Sequence, residues 1–146
     1  MLDDPFDLSR FVSAQSDIYA EALAELKTGR KRSHWMWYVF PQIAGLGYSS
    51  TTRLYAIKSA EEARQYLRHP VLGTRLRECV QTLLAIEGRS ASAIFGFPDE
   101  LKLKSSMTLF ASVTSPGSDF VRMLDKYFGG ERDANTLDLL ERLNKS

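Results

Sequence analysis

A chain of 146 residues with 44% hydrophobic and 25% charged side chains can bury one core without disulfides or metals, and a single domain over residues 1–146 is expected. The net charge is only +1, yet residues 27–77 carry ten basic side chains against two acidic ones, which favours an anionic partner where the charges converge. No apolar run reaches the roughly 20 residues that span a bilayer, the acidic start MLDDPFDLSRF lacks the features of a signal peptide, and the lone Cys79 excludes an internal disulfide, so a cytoplasmic setting without membrane contact is expected.

Phe11, Gln15, Tyr19, Ala22, Leu23 and Leu26 recur at helical spacing, which predicts a long first helix over residues 9–28, stopped by Gly29. Residues 30–42 are aromatic and basic. Within them, residues 35–40 suit a short strand or a turn and a half of buried helix equally well. The glycines and hydroxyls of residues 43–50 read as a loop. Ser59 followed by Glu62 is a capping box opening a helix to Arg68. His69-Pro70 breaks it and starts another through Leu72, Leu76, Cys79, Val80 and Leu83. A helical turn over residues 90–95 precedes Gly96, and Pro98 begins one helix, or two short ones, towards Val113. Ser118 caps a helix that Gly129-Gly130 ends, and Asn135 is expected to cap a last one. No strand pair emerges. The expected fold class is all-α, mainly helical: one bundle-like domain of about seven helices.

Several chemistries are absent from the sequence. Two histidines and one cysteine cannot build a common structural zinc site, and no P-loop, GxGxxG or GxSxG motif occurs. No cofactor is implied. Cys79 sits on an apolar helical row and reads as a packed thiol. The basic residues lack a recognised nucleic-acid-binding frame.

The segment GRKRSHWMWYVFPQ sets three basic residues beside His34, both tryptophans and two further aromatics. An aromatic wall next to cationic donors suits a planar phosphorylated ligand, whose ring stacks while its phosphate is held. The ordinary alternative is that Trp35, Trp37 and Phe40 are core. Lys104 followed by Ser105 and Ser106 could satisfy a phosphate or ribose, or the serines could cap a helix start. Arg75 follows His69-Pro70 near a helix N-terminus, where backbone N–H groups favour anions. The candidate ligand-binding residues are therefore Arg32, Trp35, Trp37, Gln42, Arg75, Lys104 and Ser105. His34 is the candidate catalytic proton carrier.

The runs GRKRSHWMWYVFPQ, YLRHPVLGTRLREC, DELKLKSSMTLF and LDKYFGGERDANTL resemble the bacterial family known as domain of unknown function 1810, from Phe11 to about Leu140. The resemblance implies a mainly helical fold and brings no activity or cofactor with it. The order of an early polar-aromatic stretch, a proline followed by Leu72-Gly73 and Arg75, and a lysine-rich apolar stretch is more loosely similar to NADAR proteins. That likeness implies action on N-glycosidic bonds of ADP-ribose-type compounds. Their early helix carries a glutamate, whereas here no acidic residue lies between Glu25 and Glu61. A glycosidase carboxylate would then come from Glu21, Glu25 or Glu78.

Two readings follow. One is a site for a small anionic, nucleotide-like ligand with N-glycosidic or hydrolytic chemistry. The other is a non-catalytic interaction module whose basic face binds an acidic protein or RNA. Oligomeric state is not legible.

Overall fold

The computed structural model describes residues 4–144, within which the chain forms ten helices and no strand. They are α1 (Ser9–Gln15), α2 (Tyr19–Lys27), α3 (Met36–Val39), α4 (Ser50–Leu54), α5 (Ala60–Arg68), α6 (Leu72–Ala85), α7 (Ala91–Phe95), α8 (Asp99–Ala111), α9 (Asp119–Phe128) and α10 (Ala134–Asn144). The all-α class expected from the periodicity holds, with more and shorter helices than about seven.

Local chemistry places most boundaries. Ser59, Ser90 and Ser118 each accept a hydrogen bond from the N–H three residues on, at 3.0, 3.0 and 3.4 Å, and open α5, α7 and α9. Gly29 has φ +75°. Its N–H reaches Leu26 O while that of Arg30 reaches Glu25 O, a Schellman closure of α2.

The expected first helix is two. Gln15 turns inward, its amide donating to Tyr38 O at 2.6 Å and to the Tyr66 hydroxyl at 3.1 Å. The Ser16-Asp17-Ile18 stretch has weak helix propensity, and Ile18 N closes a tight turn on Gln15 O. The α4 turn escaped the sequence because none of its side chains is buried, so it has no apolar period. Residues 36–39 are a single helical turn rather than a strand, followed by an isolated bridge between Ile43 and Ile57. Asp133 caps α10, not Asn135: its Oδ2 accepts from Thr136 N at 3.0 Å.

Helix α8 packs against α5, α7, α9 and α10. Every residue from 105 to 111 is buried, so its serines are interior rather than caps. Burying their hydroxyls requires partners. Ser105 Oγ donates to Leu101 O at 3.1 Å, and Thr108 Oγ1 donates to Lys104 O at 2.8 Å. Ser106 Oγ has no partner among the described residues. An aromatic row crosses the core from Tyr38 through Tyr55, Phe11, Tyr66 and Phe110 to Phe120, with successive centroids 5.1–5.8 Å apart. Each such contact adds about 0.5–1.5 kcal/mol to the burial of its rings. Arg10 staples α1 to α5 through Glu62 at 2.7 Å while also donating to Ala56 O and Leu54 O. Among the described residues no helix is long and apolar enough to cross a membrane, and no group of acidic, histidine or cysteine side chains could hold a metal.

Candidate functional site

The loop between α2 and α3 is built around one carboxylate. Glu25 Oε1 accepts from Arg32 N, Ser33 N and Trp35 Nε1 at 2.7, 2.9 and 3.0 Å, and Oε2 accepts from Ser33 Oγ at 2.6 Å. Burial alone would raise the Glu25 pKa. The four donors outweigh it and hold the group at about 2. Glu25 is thus a fixed anion that organises residues 32–35, not a proton carrier near neutrality.

That loop delivers Lys31 to the start of α8. Its ammonium lies 4.9 Å from the Trp35 ring centroid and 2.8 Å from Asp99 Oδ2. Asp99 Oδ1 is 3.4 Å from Lys102 Nζ, and Lys102 Nζ lies 4.7 Å from the Trp37 ring centroid. The two tryptophans are therefore joined by an alternating ladder, ring–cation–carboxylate–cation–ring. Trp35 is fully buried against Phe40 and Phe95, so it has no open face for a ligand. Trp37 is half-buried at the far end.

Lys102 opens onto a recess of about 340 Å³. Gln42, Lys104 and Ser105 line it, as do Asp133 and Asn135 from the start of α10. Leu46, Pro98 and Leu101 supply apolar wall. The side-chain amides of Gln42 and Asn135 make no hydrogen bond among the described residues, while the Gln42 carbonyl accepts from Ile57 N at 2.9 Å. Lys104 pairs with Glu131, which is largely exposed. Asp133 Oδ2 takes Thr136 N and the Thr136 hydroxyl, and the Ser105 hydroxyl, 3.3 Å away, can turn to it from Leu101 O.

Of the residues singled out in the sequence, Gln42, Lys104 and Ser105 meet in this recess, and Trp37 is tied to it through Lys102. The others lie elsewhere. Arg32 borders a separate depression with Glu21, Glu25 and Thr28. His34 is exposed; its carbonyl accepts from the Tyr38 hydroxyl, and its imidazole does not line the recess. Arg75 lies 5.0 Å over the Tyr19 ring and donates to Gln15 Oε1 at 3.3 Å. The basic run of residues 27–77 is likewise dispersed: Lys31 serves Asp99, Arg64 serves Glu61, and Arg77 donates to Leu67 O.

Sequence reasoning missed Asp99, Lys102 and Asp133. The first two carried a signal, an i,i+3 acid–base pair in the first turn of a helix. So did the third, an aspartate three residues before Thr136.

Fold and recess together define a small all-helical protein with a lysine-bearing polar hollow. The chain belongs to the family described as protein of unknown function, DUF1810, which matches residues 5–140. It is similar to a conserved hypothetical protein from Mycobacterium tuberculosis, whose crystal structure aligns with 94% of this chain and 99% of that one at 54% identity and a TM-score of 0.92. No curated protein matches it.

Proposed function

We propose that the recess beside α8 and α10 binds a small phosphorylated, nucleotide-like ligand of the ADP-ribose type. The observation that carries this reading is the meeting of two lysines, two unengaged amides, a carboxylate and an apolar wall around about 340 Å³. That volume falls within the roughly 300–1,000 Å³ range of small-molecule sites. Lys102 and Lys104 neutralise phosphate. Gln42 and Asn135 supply amide donors and acceptors, Asp133 accepts from a ribose hydroxyl, and Leu46, Pro98 and Leu101 pack a base. The Lys104–Glu131 pair has its carboxylate largely in solvent, where screening weakens it, so Lys104 can exchange Glu131 for a phosphate. N-glycosidic hydrolysis is the reaction this ligand class would undergo, with Asp133 the adjacent carboxylate.

The test is a thermal-shift series with AMP, ADP-ribose and ribose 5-phosphate, with tryptophan fluorescence followed in parallel. A ligand at 100 times its Kd adds roughly 2.7 kcal/mol, on the order of 8 °C for a chain of this length. Phosphate drawing Lys102 away from the Trp37 ring changes the emission. Lys104→Glu abolishes the shift, and free base released from the bound nucleotide reports hydrolysis. No shift with any of the three compounds, together with salt-sensitive RNA binding, overturns this reading in favour of an interaction module.

A further inference from the structure

A second, larger cleft of about 630 Å³ lies where the first described residues cross the end of α5 and the His69-Pro70 corner. It is independent of the recess beside α8 and shares no lining residue with it. Its walls are apolar: Pro5, Phe6, Leu8, Val12 and Pro70. Such a surface takes a hydrocarbon chain or ring out of water.

The polar groups at its edge are unequally spent. Asp4 is consumed by α1, its Oδ1 accepting from Leu8 N at 2.8 Å and its Oδ2 from Ser9 N at 3.0 Å. The Ser9 hydroxyl donates to Asp7 at 3.0 Å, and the Gln65 amide donates to Glu61 at 2.8 Å. Donors are left over. His69 Nδ1 accepts from Val71 N at 3.1 Å and from Leu72 N at 3.2 Å. A neutral imidazole accepting at Nδ1 carries its proton on Nε2, so the ring nitrogen that remains is a donor. That Nε2–H has no partner among the described residues. Arg68, at the last turn of α5, forms no salt bridge among them either. One guanidinium and one imidazole N–H beside an apolar trough are complementary to an anion with an apolar tail. The guanidinium geometry matches a planar carboxylate.

We propose that this cleft is a binding site for a small amphipathic monocarboxylate. Its tail lies along Phe6, Leu8, Val12 and Pro70, and its carboxylate accepts from Arg68 and from His69 Nε2–H. The anionic head sits at the Arg68–His69 rim; the Asp4 carboxylate on the same cleft, which His69 favours electrostatically, already accepts from Leu8 N and Ser9 N.

Isothermal titration of the full chain with octanoate tests this, with octylamine and 1-octanol as cationic and neutral heads on the same tail. Octanoate is expected to saturate at one site and to bind at least about tenfold more tightly than either control, a factor of ten being about 1.4 kcal/mol. Arg68→Glu leaves the fold intact, because Arg68 is exposed, and removes that preference. The proposal is overturned if octanoate does not bind, if octylamine or octanol binds equally well, or if Arg68→Glu leaves octanoate affinity unchanged. The recess beside α8 is probed by different compounds, so failure at either site leaves the other standing.

Discussion

Replacing Glu25 by alanine is expected to destabilise the fold more than any exposed substitution. The carboxylate is 8% exposed and accepts four hydrogen bonds, and its removal orphans the N–H groups of Arg32, Ser33 and the fully buried Trp35. The fall in pKa from 4.5 to about 2 corresponds to about 3 kcal/mol. The same hydrogen bonds underlie that figure, so Glu25→Ala, which leaves their donors without the carboxylate, is expected to cost about 3–5 kcal/mol, a large share of a typical stability of about 5–15 kcal/mol. Because the folded pKa lies below the unfolded one, the contribution is complete above about pH 5 and is lost as pH falls through about 2. About 2 kcal/mol of it is gone by pH 3. Glu25→Gln keeps an acceptor oxygen and the side-chain size but not the charge, costs about 3 kcal/mol at pH 7, and removes this acid-dependent part. Urea unfolding followed by tryptophan fluorescence at pH 7 and pH 3 measures all three proteins. The reasoning fails if Glu25→Ala costs under about 1 kcal/mol at pH 7, or if Glu25→Gln loses as much stability as the parent between the two pH values.

Two further outcomes follow from packing. A Cβ on Gly73 would lie 2.1 Å from Leu67 O, a backbone atom that cannot swing aside, so Gly73→Ala is expected to part α5 from α6 at a cost of about 3 kcal/mol or more. Gly117, with nothing near its Cβ position, should accept alanine within about 0.5 kcal/mol; equal melting temperatures for the two variants would refute the comparison. Cys79 is fully buried, and burial pushes its thiol up to about 12, the Tyr19 hydroxyl opposing this and Glu78 adding to it. It should resist a thiol-specific disulfide reagent at about pH 8 in the native protein and react fully once unfolded. Rapid native labelling would show that α6 opens far more readily than its packing implies.

Much of the helical outline was legible because it is written in chemistry spanning three or four residues. Ser59 and Ser118 cap as read, Gly29 closes α2, and Pro70 separates α5 from α6. Where the reading differed, the deciding contact was distant in sequence. Gln15 breaks the first helix by reaching Tyr38 and Tyr66, and Thr108 on α8 accepts from Asp133 N, which helps place the start of α10.

The segment at residues 30–42 stands out in composition, but composition could not say which tryptophan was core. By itself the sequence determined an all-helical fold, several of its caps and breaks, and the presence of an aromatic–basic stretch at residues 30–42 and of the Lys104–Ser105 pair, though not their relative placement. The tertiary structure alone decided that Trp35 is buried while Trp37 faces Lys102, that Arg32, His34 and Arg75 lie outside the recess, and that Lys102, held by Asp99, and Asp133 line it. The physical reason is that caps and helical periods are local, whereas convergence depends on where α8 and α10 pack. That packing is set by the whole buried surface rather than by the residues that line the hollow.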